Sequence, residues 1–316
     1  MSFIALTCPQ CGGVLPRQAV WRVVKCPYCG SMVTRNEDTV DVTDFKKALA
    51  LAKESIPPAS SSVSIAGTGF RLMAQLGIGD HSEVYLAEKM HFIPERVVVK
   101  RSRNGDGESE LRAEFDALTE LQRIDSPGSA YYSQRLPRPV IFGKDTYSSG
   151  CALALRQPIG FWGSLEDVMT RQPEGIAPRH AVWMWRRILE VLGFVHENGR
   201  IHGDVHPGHL LVNPGDHGVL LIGWNRSRRA DARDAAEDLS RSAWSIRALL
   251  SGTNREPMFG DDTPEPIIEL LKRASHDMTW CAKEGAAGID AKLKEAALRA
   301  YGPPAFVPFD PSRKTV

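Results

Sequence analysis

Short runs of alternating apolar and polar residues open the central part of the chain and predict a small β-sheet. Three such runs, FRLMAQLGIG, SEVYLAEKM and ERVVVKRS, follow one another from Phe70, and each has the length of a strand. The next segment, ESELRAEFDALTELQRI, repeats its apolar residues at helical spacing instead. Three strands followed by a helix predict a sheet-based lobe.

Helical periodicity dominates the second half. The segment RHAVWMWRRILEVLGFVHENG places five apolar residues on one helical face and ends at a plausible Asn198-Gly199 cap: Val182, Trp185, Leu189, Leu192 and Val195. Directly afterwards, the apolar runs HLLV and GVLLIGW flank the turn NPGDHG and predict a hairpin. Further helices are expected around residues 265–282 and 291–301.

Proline, serine and glycine mark the predicted domain boundaries. VDVTDFKKALALAKES has helical spacing, and IPPASSSVSIAGTG, residues 56–69, has the composition of a linker. The last residues alternate aromatics with prolines and are expected to pack on the chain's own second lobe. The predicted regions are 1–35, a metal-binding ribbon; 36–69, a helix and linker; 70–160 and 161–302, two lobes; and 303–316, the tail.

Four of the six cysteines fall in two Cys-x-x-Cys pairs near the N terminus, CPQCGG and CPYCGS. This spacing can place four thiolates around one ion and predicts a structural Zn²⁺ site formed by Cys8, Cys11, Cys26 and Cys29. Iron, a redox pair or disulfides are the alternatives, but the βαβ context of a redox pair is missing and a reducing cytosol disfavours disulfides. Cys151 and Cys281 are isolated and are expected to be ordinary residues.

The net charge and the hydropathy of the chain indicate which classes of binding partner to expect. The formal net charge is +1, which gives no general attraction to nucleic acid or to an anionic membrane. Basic residues between the cysteine pairs could contact nucleic acid, although a solvated face is the favoured interpretation. The N terminus lacks the pattern of a signal peptide and no run of 18 apolar residues occurs, so a cytoplasmic protein is expected.

Two groups of polar residues are candidates for chemistry. In the sheet region, GIGDHSEVY carries Gly77, Gly79 and Ser82 in a turn, a weak phosphate-loop signal when taken alone. Lys100 ends the run VVVK, and the alternation of Val97 and Val99 is expected to point it inward, where it needs an anion. A carboxylate on the next helix, Glu114, can supply that charge. A purely structural ion pair would give the same pattern.

The second group lies in IHGDVHPGHLLVN. His202, His206 and His209 are residue types that bind zinc, but their spacing alone is weak evidence. The loop setting predicts that His202 is mainly structural.

In this order, the motifs over residues 71–280 resemble the protein-kinase-like fold. GIGDHSEVY looks like the glycine-rich loop, VVVK like the motif of the phosphate-binding lysine, here Lys100, and Glu114 like its helix partner. IHGDVHPGHLLV looks like the catalytic loop, and DLSRSAWSIRALLSG is similar to the helix whose aspartate, here Asp238, braces that loop. The resemblance implies an α+β, bilobal kinase-like fold preceded by a small zinc-ribbon β-hairpin domain.

The resemblance also shows departures. Asp204 stands at the position of the catalytic base, but His209 replaces the metal-binding asparagine and Gly223 replaces the metal-binding aspartate. Glycine has no side chain to bind a metal ion and Mg²⁺ prefers oxygen donors, so Mg²⁺ binding is doubtful. ATP could still be held by the glycine-rich turn, Lys100 and Glu114, and the segment ALALRQP, residues 152–158, resembles the hinge that receives adenine. Asp204, His209 and Asn225 could alternatively share a softer ion such as manganese.

Fourteen residues separate Gly223 from Asp238, too few for a long activation segment that binds a peptide. The resulting expectation is a zinc-ribbon pseudokinase of bacterial type that regulates or scaffolds an unknown protein partner. An active atypical kinase with Asp204 as base, acting on a protein or a small molecule, is the first alternative. A nucleic-acid-associated regulator working through the ribbon is the second.

Overall fold

The computed structural model describes residues 23–25, 32–34, 62–90, 95–103, 107–148, 150–156, 160–215, 217–255 and 257–312. Helices and strands both contribute extensively, which confirms the α+β class. The chain divides into two compact units: Met1–Thr119 with Pro137–Ile159, and Glu120–Leu136 with Gly160–Val316. None of the described helices is long and apolar enough to cross a membrane.

The first unit is built on a six-stranded antiparallel sheet in the order β3-β4-β5-β6-β8-β7. The three strands expected from Phe70 onward are confirmed as β4 to β6. The bounds are β3 Ser62–Ile65, β4 Thr68–Ile78, β5 Ser82–Lys89, β6 Glu95–Ser102, β7 Arg138–Lys144 and β8 Cys151–Arg156. The predicted helix α1 follows as Gly107–Gln122.

One face of this sheet carries the apolar core of the unit. Side chains from β3 to β8 meet there, among them Phe70, Val97 and Val99, all almost fully buried. Because side chains alternate along a strand, Lys100 lies with Val98 on the opposite face. Lys100 is nevertheless buried and paired with Glu114, as expected, although the alternation with Val97 and Val99 is not the reason. Lys100 is buried because its own face receives a carboxylate from α1.

The end of the expected linker is also folded. Residues 62–65 pair with 68–71 as a hairpin, and its two-residue turn has positive φ at both Ala66 and Gly67, 45° and 85°. These angles fit a type I′ turn, whose twist matches that of paired strands. The apolar residues Val63 and Ile65 are fully buried and anchor the hairpin. Serine-rich composition concealed a strand whose alternate residues enter the core.

The second unit is mainly helical. Two small sheets accompany the helices, β9-β11-β12 and β10-β13, and the predicted hairpin is confirmed as β11 and β12. Its helices are α2 Ser129–Tyr132, α3 Leu165–Arg171, α4 Pro178–Glu197, α5 Ala232–Ser251, α6 Glu265–His276 and α7 Met278–Tyr301. Its strands are β9 Gly163–Ser164, β10 Arg200–Ile201, β11 Leu210–Asn213, β12 Gly218–Leu221 and β13 Arg228–Arg229.

Helix α4 follows its apolar stripe closely. Trp185, Leu189, Leu192 and Val195 are buried, whereas Val182 is only partly buried. The helix ends at Asn198 as expected. It packs against α5 and α7, so its apolar face lies in the core of the unit.

The C-terminal helices differ from the expected bounds. One helix ends at His276 and the next begins at Met278, where the Asp277 side chain accepts a hydrogen bond from the Trp280 amide and caps the new helix. Gly285 interrupts α7 with non-helical angles. The tail packs on its own unit as expected, because Phe309 is buried.

Most of the N-terminal region lies outside the described residues. This includes Cys8, Cys11, Cys26 and Cys29 and the helix expected between residues 40 and 55. Two short strands are described, β1 Val23–Lys25 and β2 Met32–Thr34, and they pair in an antiparallel manner. The predicted zinc ribbon remains a prediction.

Candidate functional site

Lys100 and Glu114 form a buried ion pair in the first unit. The Lys100 Nζ donates to both carboxylate oxygens of Glu114, at 2.7 and 2.6 Å, and Glu114 is 1% exposed. Strand β6 supplies the lysine and α1 supplies the glutamate. Removing either residue would leave the charge of the other buried without a partner, which destabilises a folded protein. Each side chain therefore holds the other in position. A role in phosphate binding stays a prediction.

The glycine-containing turn joins β4 to β5. The Gly79 amide donates to the Ser82 carbonyl at 2.8 Å, and the Arg103 amide donates to the His81 carbonyl at 3.0 Å. Gly77 itself lies in β4, opposite Val84, and Ser82 begins β5, so of the three expected turn residues only Gly79 lies in the turn. A Cβ built at Gly77 would meet nothing within 4 Å, so the space beside this backbone is open. The structure thus gives a tied turn with an accessible backbone, and its role in phosphate binding stays a prediction.

The segment proposed as an adenine-binding hinge, residues 152–158, is mostly a strand. Residues 152–156 belong to β8 and are almost wholly buried, paired on both sides by β6 and β7. Residues 157–159 lie outside the described part of the chain. The resemblance of residues 152–158 to an adenine-binding hinge therefore stays a prediction, and residues 152–156 form the strand that leads into it.

In the second unit, Asp238 of α5 holds the HGD loop, which we define as residues 202–209. Its carboxylate accepts hydrogen bonds from the amides of His202 and Gly203, at 2.7 and 2.9 Å, and lies 3.0 Å from the His196 Nε2. Burial alone would raise the pKa of Asp238, but the His196 bond and the other donors hold it below 3.8. The carboxylate therefore stays charged and braces the loop.

His202 is a structural residue of this loop. It is fully buried, its Nε2 lies 2.9 Å from the Ile222 carbonyl, and its Nδ1 accepts the Asp204 amide at 3.2 Å. Both ring nitrogens are thus engaged, and the ring also meets Trp224 edge to face. The structural role expected for His202 stays a prediction, which these contacts support.

Gly203 fits a position that excludes side chains. Its φ is 81°, and a Cβ built there would lie 2.6 Å from the Arg226 carbonyl oxygen. Both the left-handed backbone and the close approach of residue 226 require glycine. The loop can therefore pass directly against the segment that follows β12.

Asp204 has a partly accessible carboxylate. Its side chain is 23% exposed, with the Arg226 Nε at 3.8 Å and the His209 Nδ1 at 3.6 Å from Oδ2. Neither contact is a close hydrogen bond. The carboxylate is available to a further ligand or to a solvent molecule.

His209 fills the space that a side chain at position 223 would need. A Cβ built on Gly223 would lie 2.6 Å from both Cε1 and Nε2 of the His209 ring, and the Gly223 φ is 80°. Real carbon atoms do not approach so closely, so any larger residue at 223 requires the ring to move. The two unusual residues noted in the sequence, His209 and Gly223, are therefore neighbours in space. The imidazole of His209 occupies the volume that a side chain at residue 223 would fill.

The His209 ring has a defined tautomer. Its Nδ1 lies 2.8 Å from the Asp204 carbonyl oxygen, which can only accept, so Nδ1 carries the proton and Nε2 keeps its lone pair. The pKa of His209 is lowered to about 4, mainly because burial disfavours the imidazolium and also because His206 is close. The ring is neutral near pH 7.

His206 completes a cluster with Asp204 and His209. One potential ligand atom from each lies within 4.8 Å of the others, and the two rings are 3.8 Å apart between centroids. Spacing had suggested His202 as the third member, but its ring is 5.9 Å from that of His209 and both its nitrogens are engaged. The sequence signal that could have found the cluster is Asp-x-His-x-x-His within one loop.

The segment after Gly223 is short and tied down. Residues 224–226 form a single helical turn, β13 pairs with β10, and α5 begins at Ala232. Arg228 pairs with Asp234 at 2.9 Å and Arg229 with Glu120 at 2.7 Å. Two arginines of this segment are thus used in surface ion pairs within the same unit.

Sequence comparisons indicate a distant relationship to kinase-related proteins. A search of family models finds no match. The chain is similar to the STE20-related kinase adapter protein strd-1 of Caenorhabditis elegans, 22% identical over 58% of this chain and 45% of that protein. It is also similar to the serine/threonine-protein kinase pkn2 of Myxococcus xanthus, 27% identical over 54% of this chain and 19% of that protein. The chain spans less than half the length of either relative.

Proposed function

We propose that this protein is a kinase-like regulator, a pseudokinase that acts by binding a protein partner and not by transferring phosphate. One observation carries the proposal: the His209 imidazole stands where a side chain at position 223 would begin. In the kinase pattern, position 223 carries the carboxylate that holds the metal ion beside the phosphates. Here that carboxylate is absent and its space is filled.

The absence of a metal-binding carboxylate at residue 223 would lower the rate of phosphate transfer by a large factor. A metal ion that bridges the phosphates stabilises the charge that develops during transfer by several kcal/mol. Losing that interaction lowers the rate by a factor on the order of 10³ or more. Asp204, although kept, could orient a hydroxyl group but could not replace the missing positive charge.

The segment between Gly223 and α5 supports the same proposal. Kinases order a long segment here and use it to bind a peptide substrate. In this chain, β13 and the short helical turn occupy the interval, and Arg228 and Arg229 are engaged by carboxylates of the same unit. A regulator that presents its surface to a partner does not need such a segment.

A protein partner is also supported by one of the relatives. That relative is named as a kinase adapter, a class of protein that works through association. By analogy, the partner of this chain would itself be a kinase or another signalling protein. The analogy concerns the class of function and leaves the identity of the partner to experiment.

Two ligands belong to this proposal. ATP would be held without efficient transfer by Lys100, positioned by Glu114, and by Gly77, Gly79 and Ser82 at and beside the turn between β4 and β5. Zn²⁺ would be held by Cys8, Cys11, Cys26 and Cys29, where it would supply the folding energy of a domain too small to have a large core. Nucleic acid is not proposed as a partner, since the net charge is only +1.

A phosphate-transfer assay with a repaired variant tests the proposal. Purified wild-type protein is incubated with ATP labelled on the γ phosphate, generic protein substrates, and either Mg²⁺ or Mn²⁺. We expect no transfer above that of Asp204→Ala, and a gain of autophosphorylation or ATP hydrolysis in the double variant His209→Asn/Gly223→Asp. Metal-dependent transfer by the wild type that Asp204→Ala abolishes would contradict the proposal.

An active atypical kinase is the second candidate, because two parts of the kinase pattern are kept. The Lys100–Glu114 pair is formed, and the Asp204 carboxylate is partly exposed. In that case ATP would stabilise the protein only when a divalent cation is present. A thermal shift with ATP that is equal with and without the cation favours the pseudokinase instead.

A further inference from the structure

The HGD loop of the second unit gathers three metal-binding side chains that the proposed function does not use. Asp204, His206 and His209 each offer one ligand atom within 4.8 Å of the other two. We propose that this cluster binds a divalent transition-metal ion of the zinc class, through two imidazole nitrogens and one carboxylate oxygen. This site differs from the magnesium site of kinases, which depends on the carboxylate that is absent at residue 223.

His209 has the tautomer of a metal ligand. Metal-binding histidines commonly donate their second N–H to a backbone carbonyl, which fixes the ring and directs the free nitrogen. The His209 Nδ1 makes this contact with the Asp204 carbonyl at 2.8 Å, so Nε2 holds the free lone pair. The peptide group of Asp204 therefore orients one ligand, and its side chain supplies another.

His206 needs one small change to bind. Its Nδ1 accepts the Gly208 amide at 3.2 Å, so Nε2 carries the proton while the ring is neutral. Binding a cation through Nδ1 replaces this long hydrogen bond, whereas binding through Nε2 requires the proton to move to Nδ1, which also ends the bond from Gly208. Its ring already lies 3.8 Å from that of His209, close enough for both to contact one ion.

The donor set determines the class of ion. Imidazole nitrogen suits zinc, copper, nickel and iron, whereas Mg²⁺ and Ca²⁺ prefer oxygen ligands. None of the described cysteines lies in the cluster, which disfavours ions that require thiolate. The carboxylate of Asp204 offsets part of the charge of the ion, and its nearest basic neighbour, Arg226, is 64% exposed and free to move away.

The geometry allows binding with modest movement. Ligand atoms about 2.1 Å from a tetrahedral zinc ion lie roughly 3.4 Å from one another, less than the 4.8 Å limit that the cluster now meets. Rotation of partly exposed side chains can close this difference. Three protein ligands leave a fourth position for water or for an oxygen or nitrogen atom of a bound partner.

Zinc binding by the full-length chain tests this proposal. The predicted ribbon would bind zinc as well, so the measurement uses the full chain with Cys8, Cys11, Cys26 and Cys29 all changed to serine. Isothermal titration with Zn²⁺ alone should show one bound equivalent. His206→Gln and His209→Asn should each weaken binding on the order of 100-fold, since losing even an outer partner of a ligand costs 10-fold to 100-fold.

A matched control is available on α4. His180 is a partly buried histidine of the same unit outside the cluster, so His180→Gln should bind Zn²⁺ as the parent does. Co²⁺ provides a second measurement in the wild-type chain, because thiolate-bound Co²⁺ gives charge-transfer absorption and nitrogen- and oxygen-bound Co²⁺ does not. The visible absorption bands of the Co²⁺ that is bound by nitrogen and oxygen should disappear in His206→Gln, whereas the charge-transfer absorption of thiolate-bound Co²⁺ should remain.

Equal zinc binding by the parent, His206→Gln and His209→Asn would overturn the proposal, as would no binding by the parent. These results are distinct from those of the transfer assay. Zinc binding together with phosphate transfer would refute the pseudokinase and keep the metal site. Neither activity would refute the metal site and keep the pseudokinase.

Discussion

The two candidate regions of this protein differ in how closely their residues match the kinase pattern that the sequence resembles. In the first unit, Lys100 and Glu114 make the buried ion pair that the pattern implies. In the second unit, Asp238 braces the HGD loop, whereas His209 and Gly223 stand where the kinase pattern that the sequence resembles has metal-binding residues. The comparison teaches that buried bracing contacts can be present in a loop that departs from that pattern at its metal-binding positions.

The reason is that the retained contacts also stabilise the fold. A buried carboxylate such as Asp238 or Glu114 cannot lose its partners without a large cost, whether or not a substrate binds. Metal-binding side chains near the surface carry no such penalty and can be exchanged. In this chain, the exchange at residues 209 and 223 took place within one small volume.

The largest effect is expected from removing the brace. Asp238→Ala leaves the amides of His202 and Gly203 and the His196 ring without their acceptor in a buried place. We expect the free energy of unfolding to fall by about 4 kcal/mol, measured by urea denaturation. Glu237→Ala, beside it but exposed, is the control and should change little. An equal, small effect of both would show that the loop is held by other contacts.

A somewhat smaller effect is expected in the first unit. Lys100→Met leaves the Glu114 carboxylate buried without its cation and should cost about 3 kcal/mol in urea denaturation. Adding Glu114→Gln removes the buried charge and should recover much of that loss. Arg226→Met removes the exposed cation near Asp204 and should cost less than about 1 kcal/mol. If Lys100→Met and Arg226→Met were equal, the contrast between the two regions would fail.

The next largest effect on stability is expected from substitutions at residues 209 and 223, which should be energetically coupled. Gly223→Asp forces a Cβ against the His209 ring and should destabilise the protein by about 2 kcal/mol. In the double variant with His209→Asn, the smaller side chain relieves the contact, so the two changes should couple by at least about 1 kcal/mol. A double-mutant cycle in urea measures this. Additive effects would mean that the His209 ring does not occupy the space of residue 223.

The smallest effect concerns acid pH. The pKa of Asp238 in the folded protein is below its ordinary value of 3.8, so its ionised form stabilises the fold above that value. The contribution is lost as the pH falls below 3.8 through the folded pKa. The stability difference between the wild type and Asp238→Asn should therefore be constant from pH 5 to 6 and shrink below pH 4. A difference that grows in acid would contradict this sign.

Much of the fold was predictable because it follows local patterns. Strands β4 to β6, α1, the stripe of α4 and the β11-β12 hairpin all follow from apolar periodicity and turn residues. Residues 62–65 were mistaken for linker because their serines hide two core residues, Val63 and Ile65. The burial of Lys100 was predicted, but for the wrong reason. Val97 and Val99 face the apolar core of the sheet, and Lys100, on the opposite face, is buried by its contact with Glu114.

The candidate site was predictable in its residue types but not in its grouping. Motif order proposed Lys100, Glu114 and Asp204 as site residues and marked His209 and Gly223 as departures from the kinase pattern, and these roles stay predictions. His206 was considered only together with His202, since spacing in a loop does not tell which rings face each other. The pairing of Arg228 and Arg229 with carboxylates also depends on residues that are distant in the chain or on a neighbouring helix.

The sequence by itself determined the succession of strands and helices and the positions at which the kinase pattern is altered. Periodicity and short motifs are local properties, and the chain carries them without reference to its folded form. Only the tertiary structure decided that His209 fills the place of a side chain at residue 223 and joins His206 and Asp204. Such groupings depend on backbone direction and packing volume, which are fixed when separate segments of the chain come together.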